Sequence, residues 1–155
     1  MEPRTVPLED EIQQPRFPSL LEKTLVNLLF TGSWFQHLEN GHKKRWDLTL
    51  TQYNILRILG GQHGTGISIG AVRERMLERN PDLTRTLDRL VRKGLIRREV
   101  CPGDRRQAEL YLTPQGGALL AEVDTSLAHL SPGLRALSET EMVTLNTLLD
   151  KARAR

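Results

Sequence analysis

Apolar positions recur at helical spacing along most of the chain and alternate in one stretch only. From Leu20 to about Glu39, Leu21, Leu25, Leu28, Leu29, Phe35 and Leu38 fall on one side of a helix, and Val26, Phe30 and Trp34 widen that stripe. Ser19 is the candidate N-cap and Asn40-Gly41 the expected stop. A helix apolar over so much of its circumference needs two partners, one in its own subunit and one in another. Thr49 or Thr51 opens a second helix, Gln52 to Leu59, which Gly60-Gly61 ends. Ser68 caps a third, roughly Ile69 to Glu78. Asn80-Pro81 opens a fourth: Asn suits the cap, Pro the first helical position, and Asp82 the positive end of the helix dipole. Gly94 closes it.

The period then changes. Leu95 to Cys101 and Ala108 to Thr113 read as strands, with Ala108, Leu110 and Leu112 alternating with Glu109 and Tyr111. Between them, Pro102 to Gln107 reads as a turn with a charged tip. Thr113-Pro114 caps a fifth helix carrying Leu119, Leu120, Val123, Leu127 and Leu130. Ser131-Pro132-Gly133 interrupts it, and Ser138 with Glu141 forms a capping box for a sixth, whose stripe is Met142, Leu145, Leu148, Leu149 and Ala152. Residues 1–18, with four prolines around Glu9-Asp10-Glu11, read as an extended or mobile arm. The expected organisation is thus an arm over 1–18, a helical dimerisation region over 19–45 and 114–155, and a winged helix-turn-helix over 46–113. The fold class is mainly α with a small β-hairpin wing.

Composition narrows the function. No apolar run approaches the ~20 residues of a membrane span, and Met1-Glu2-Pro3-Arg4 lacks a signal-peptide pattern. A single cysteine, Cys101, leaves no intramolecular disulfide, so the cytoplasm is the default compartment. The net charge of +3 is unevenly spread: residues 69–106 hold eleven Lys and Arg against six Asp and Glu, a local +5. A basic excess confined to one region points to a polyanion met by that region. His37, His42, His63 and His129 share no metal-ligand spacing. No phosphate loop, nucleophile elbow or paired-carboxylate motif is present, so neither metal, cofactor nor enzymatic activity is expected.

Two short helices, a tight turn and a basic-tipped hairpin form a DNA-reading constellation. At ~100° per residue, Leu83, Leu87, Leu90 and Gly94 share one stripe of the fourth helix, and Arg85, Arg89 and Arg92 lie on roughly the opposite side. Such a helix buries one face and offers guanidinium groups to the edges of guanine in a major groove. Arg73, Arg75 and Arg79 on the preceding helix are placed for phosphates.

Residues 49–117 resemble the MarR family of bacterial winged-helix regulators. The matching text is Leu83-Thr84-Arg85, Asp88-Arg89-Leu90, Lys93-Gly94-Leu95-Ile96-Arg97-Arg98, Asp104-Arg105-Arg106 and Leu112-Thr113-Pro114-Gln115-Gly116. The resemblance implies a homodimer knit by its terminal helices, binding palindromic double-stranded operator DNA as a repressor and released by a small aromatic or amphipathic effector. The candidate DNA-binding residues are Ser68, Arg73, Arg79, Thr84, Arg85, Arg89, Asp104, Arg105 and Arg106; of these the resemblance carries over Arg85 on the recognition helix and Asp104 and Arg106 of the wing. Arg106 would enter a narrow minor groove, and Asp104 would orient it or simply form the turn. Arg89 would pair with Asp88 or meet phosphate. Asp82 departs from the family's small hydroxyl residues; it reads as a dipole-stabilising residue, with cytosine N4 as the alternative target. Trp34, Phe35, Trp46 and Tyr53 are the aromatics available for an effector pocket, and serve equally as core or dimer packing. Two other readings stand beside this one: a redox-sensing regulator using Cys101, whose thiol lies near Arg98, Arg105 and Arg106 in sequence, and a ligand-independent architectural DNA-binding protein.

Overall fold

A computed structural model describes residues 5–77, 82–101, 104–130 and 132–154, with backbone alone at 38–44, 101, 104–107, 127–130 and 132. The described helices are α1 (Leu8–Glu11), α2 (Leu20–Lys43), α3 (Leu50–Gly60), α4 (Ile69–Arg75), α5 (Leu83–Arg92), α6 (Pro114–Leu130), α7 (Pro132–Arg135) and α8 (Glu139–Ala152). Three strands, β1 (Ile67–Ser68), β2 (Ile96–Cys101) and β3 (Asp104–Leu112), form an antiparallel sheet in the order β1-β3-β2. The chain divides into two units, Met1–Gln36 with Ala128–Arg155, and His37–Leu127.

The second unit holds a closed aliphatic core. Ile55, Leu56 and Leu59 of α3, Val72 of α4, Leu83, Leu87 and Leu90 of α5, Leu95 and Ile96, Leu110 of β3 and Val123 of α6 are all buried. Trp46 and Tyr53 pack against its margin, so Leu, Ile and Val fill the interior, as the scarcity of aromatics requires. Burial of each leucine contributes about 1.5–3 kcal/mol. In the first unit the apolar residues of α2 and α8 are largely exposed: Leu20 is 79% and Leu21 80% accessible, and Val143 61%.

Several helix starts match their sequence signals. Thr49 accepts from the Gln52 N–H while the Gln52 side chain accepts from the Thr49 N–H, a reciprocal capping box on α3. Ser138 and Glu141 do the same on α8, and Ser68 caps α4 through the Ala71 N–H. Each such cap contributes about 0.5–2 kcal/mol.

Several expected boundaries are corrected. The arm is not wholly extended: α1 forms a single turn, anchored by buried Leu8 and by the ion pair of Glu9 with Lys23. Asn40-Gly41 does not stop α2, which runs on to Lys43; the chain turns after a 3-10 turn at Lys44–Trp46, where Asp47 takes the left-handed conformation (φ 51). One glycine costs a helix only about 1 kcal/mol. α4 ends at Arg75, short of Glu78, because Met76 is extended and the Leu77 N–H donates to Asn54 Oδ1 of α3 at 3.0 Å. α5 begins at Leu83, with Asp82 at its cap and not within the first turn; Asn80 and Pro81 lie outside the described residues. β1 was not expected, since two residues cannot show alternation. β3 begins at Asp104, four residues early, so Asp104, Arg105 and Arg106 sit on a strand and not on a loop tip. That portion is polar on both faces, and alternation appears only where one face is buried.

The junction of α5, β2 and α6 is tightly fixed. Gly94, at φ +70, ends α5, with its N–H donating to Val91 O (2.9 Å) and the Leu95 N–H donating to Leu90 O (3.1 Å), a Schellman closure. Thr113 Oγ1 accepts from the Gly116 N–H at 3.0 Å and donates back to Gly94 O at 2.7 Å. A Cβ on Gly116 would stand 2.0 Å from the Leu95 carbonyl oxygen, whereas at Gly117 its nearest neighbour would be Leu112 at an ordinary 3.8 Å. Gly116→Ala is therefore expected to cost about 3 kcal/mol of stability. Gly117→Ala should be neutral, or stabilising by up to about 1 kcal/mol. Urea unfolding midpoints of the two variants check the contrast; similar midpoints would mean that α6 does not seat against Leu95.

Candidate nucleic-acid interface

The core fixes the rotation of α5. Leu83, Leu87 and Leu90 are 1%, 2% and 0% accessible. Thr84, Arg85, Asp88, Arg89 and Arg92 are exposed, so the expected division between an apolar and a guanidinium face holds. α4 precedes it across the turn, with Arg73 and Arg75 exposed and Val72 buried. The Ser68 hydroxyl is already engaged as the cap of α4. Arg79 lies outside the described residues, as do the side chains of Asp104, Arg105, Arg106 and Cys101; for these only the backbone positions on β2 and β3 are placed.

Arg89, Arg92 and Lys93 border a shallow cavity of about 490 Å³ together with Asp47, Leu48, Thr49 and Gln52 at the start of α3. Three cations beside a helix N-terminus give this hollow a positive field. Asp88 and Arg89, both described, form no ion pair with one another. Lys93 is tied down: its ammonium donates to the Asp47 main-chain oxygen and, at 2.7 Å, to Asp47 Oδ2. The ammonium holds the Asp47 carboxyl below its ordinary pKa, first through the hydrogen bond and then through its charge. Sequence reasoning gave Lys93 and Asp47 no role, since 46 residues separate them and no periodicity links them. At the other end of α5, Asp82 Oδ2 lies 3.9 Å from Arg85 Nη1. Their i, i+3 spacing was legible, but the sequence assigned Asp82 to the helix dipole instead.

On the sheet, Arg97 stacks over the Tyr111 ring, 4.0 Å from its centroid, and pairs with Glu99, while the Tyr111 hydroxyl donates to Glu109 at 2.7 Å. On this face the Arg97 charge is matched by Glu99, while Arg98 stays exposed on the same strand.

The MarR family model matches residues 46–107, from Trp46 into the first part of β3. A MarR transcription factor from Planctomyces limnophilus is 30% identical over 87% of this chain and 98% of its own, with a TM-score of 0.67. The chain belongs to the MarR family. A mutant MarR from E. coli complexed with operator DNA is 25% identical over 96% of this chain and 100% of its own, with a TM-score of 0.68. AbsC, a MarR family transcriptional regulator from Streptomyces coelicolor, shares the fold at 20% identity, 88% and 95% coverage and a TM-score of 0.76. Membership places the protein among transcription regulators and not among enzymes. Among the described residues, no helix is long and apolar enough to cross a membrane, and no cluster of His, Cys, Asp and Glu could hold a metal.

The four aromatics considered for a MarR effector pocket fall into the two units. Trp34 and Phe35 meet edge-to-face at 5.0 Å in the first. In the second, the Tyr53 hydroxyl donates to Asp124 Oδ1 at 2.6 Å, and Arg57 donates to the other oxygen at 3.1 Å. Trp46 packs on the core margin, and its indole N–H is buried without a hydrogen-bond partner among the described residues.

The Asp47–Lys93 pair yields a pH prediction. A carboxyl whose pKa is lowered by folding contributes stability that is present above its unfolded pKa and is lost as pH falls through the lower, folded value. The Asp47 carboxyl should titrate by NMR below an ordinary aspartate, and Lys93→Ala should return it to the ordinary range. An unmoved midpoint would break the assignment.

Proposed function

We propose that the protein is a homodimeric, sequence-specific DNA-binding repressor that reads operator DNA through α5 and is released by a small aromatic or amphipathic effector. The observation that carries the reading is the pairing of a fully buried leucine stripe with an exposed arginine face on α5. A related chain of 25% identity is complexed with operator DNA. In this reading Arg85 and Thr84 meet base edges, Arg73, Arg79, Arg89 and Arg92 meet phosphates, and Arg105 and Arg106 reach the flanking minor groove.

Dimerisation is supported by the first unit. Leu28 and Phe35 of α2 and Met142, Leu145 and Leu149 of α8 line an apolar cleft of about 820 Å³. Leu25 and Leu29 of α2 and Leu148 of α8 are more than half exposed besides. Exposed apolar faces of this extent are characteristic of subunit interfaces. For the effector, the supporting feature is the unpartnered indole N–H of Trp46, which a ligand bearing an acceptor would satisfy.

Selection of bound sequences from a random duplex pool tests the reading directly, since a homodimer should return a palindrome. Light scattering is expected to give twice the chain mass, and Leu25→Glu with Leu148→Glu should give a monomer with weakened operator binding; a monomer in the wild type would refute the dimer. Half-site centres are expected about 10 bp apart, so inserting about 5 bp at the centre should abolish tight binding. Arg85→Ala should cost about 1–3 kcal/mol on the operator and relax one base position per half-site, as read by gel shift on operator variants. Equal losses on operator and scrambled DNA would remove Arg85 from the base-reading role.

A further inference from the structure

Two side chains one turn apart on α3 hold a single carboxylate of α6. The Tyr53 hydroxyl donates to Asp124 Oδ1 at 2.6 Å and Arg57 Nη1 donates to Asp124 Oδ2 at 3.1 Å, so both carboxylate oxygens are engaged. The preceding residue, Val123, is fully buried in the core to which α3 contributes. One turn before Asp124, Leu120 lies so near α3 that a Cβ on Gly60 would stand 2.8 Å from Leu120 Cδ2. α6 is also one of two helices that run from one unit into the other: it starts at Pro114 in the second and ends at Leu130 in the first. We propose that Asp124 is a positioning residue for operator recognition: gripped by Tyr53 and Arg57, it sets the seat of α6 on α3 and so fixes the half-site spacing that the dimer accepts. The inference rests on the proposed dimer, joined through the first unit and reading DNA with the second.

Apolar contact between α3 and α6 is non-directional. Hydrogen bonds to a charged acceptor weaken steeply off their preferred angle and are about twice as strong as neutral ones. Two of them, from donors at i and i+4, define both the height of Asp124 along α3 and the rotation of α6 about its own axis. Small changes of seat matter because α6 is a lever. Its 17 residues span about 25 Å at the rise of an α-helix. A tilt of roughly 10° would move one end by about 4 Å, more than the ~3.4 Å between successive base pairs. Folding gains little from the grip, since the Arg57 and Asp124 side chains are 56% and 35% exposed and so open an ion pair contributes little to stability. Its effect is to restrict motion before DNA is met, which lowers the ordering cost of seating both DNA-reading units at once. A plain tertiary contact behaves differently: its loss lowers folding stability and all DNA binding together.

The test uses the full chain as wild type, Asp124→Ala, Asp124→Asn, Tyr53→Phe and the Tyr53→Phe/Asp124→Ala double variant. Random-duplex selection on the wild type first supplies the operator. Each protein is then titrated at one salt concentration on four duplexes: the operator, the operator with one base pair added at its centre, the operator with one removed, and an isolated half-site. Urea unfolding and light scattering run in parallel. Asp124→Ala is expected to bind the operator about tenfold more weakly and the mis-spaced duplexes no more than about twofold more weakly, so the penalty for one misplaced base pair shrinks about fivefold. Its half-site affinity should stay within about twofold of wild type, because a single site imposes no spacing. Asp124→Asn keeps an acceptor oxygen without the charge, so its values should fall between. Tyr53→Phe should move in the same direction, and in the double variant it should add nothing to Asp124→Ala, since the same bond is already gone. An unchanged spacing penalty in Asp124→Ala overturns the proposal and leaves the DNA reading standing. An equal loss on all four duplexes, in step with a lower unfolding midpoint, also overturns it and marks Asp124 as a tertiary contact alone. If the wild-type selection returns no two-fold repeat, or light scattering finds a monomer, there is no half-site spacing to set; the dimeric reading then falls and the role of Asp124 with it, before any variant is made.

Discussion

The burial of Leu83, Leu87 and Leu90 is the constraint on which the basic surface depends. These three side chains lie in one core with Ile55, Leu56 and Leu59 of α3 and Leu110 of β3. Turning α5 by one residue, about 100°, would drive a polar or charged side chain into that core. An unpaired buried charge costs several kcal/mol. The arginines face solvent because the leucines cannot, and the Schellman closure at Gly94 and the close seat of Gly116 under Leu95 hold the far end of the helix in the same rotation.

The two units differ in how complete they are. His37–Leu127 closes its own core with aliphatic residues from four helices and the sheet, and a short two-residue strand ties the start of α4 to β3. The first unit has long helices whose apolar residues stay in water. The second unit is stable by internal packing, while the first keeps exposed apolar surface on its helices.

Much of this was legible in the sequence because it rests on local signals. Thr49-Gln52, Ser68 and Ser138-Glu141 marked helix starts through short-range hydrogen bonds, and the leucine spacing of α5 gave its buried face. The turn at Gly94 followed from the one residue type at ease at positive φ. What the sequence hid was set by distant partners or by missing contrast. Asn54 ends α4 from another helix, Asp47 captures Lys93 across the fold, and β1 is too short to alternate. Arg105, Arg106 and Gln107 looked like a turn because a strand that is polar on both faces carries no period. Of the site, the arginine face was readable as a stripe, whereas the approach of Asp82 to Arg85 needed coordinates to separate it from an ordinary dipole contact.

The strand order β1-β3-β2 places β2 at a sheet edge. Such an edge offers a row of main-chain donors and acceptors to any passing strand and is a common route to aggregation. Here Arg97, Arg98 and Glu99 crowd it with charged side chains, and the register shift after Val100 breaks its line before the wing tip. A second copy adding an antiparallel strand centred between Arg97 and Arg98 would set arginine against arginine. The same residues that dress the wing for water thus also guard it against pairing with its own kind at the concentrations a cell or a crystallisation drop demands.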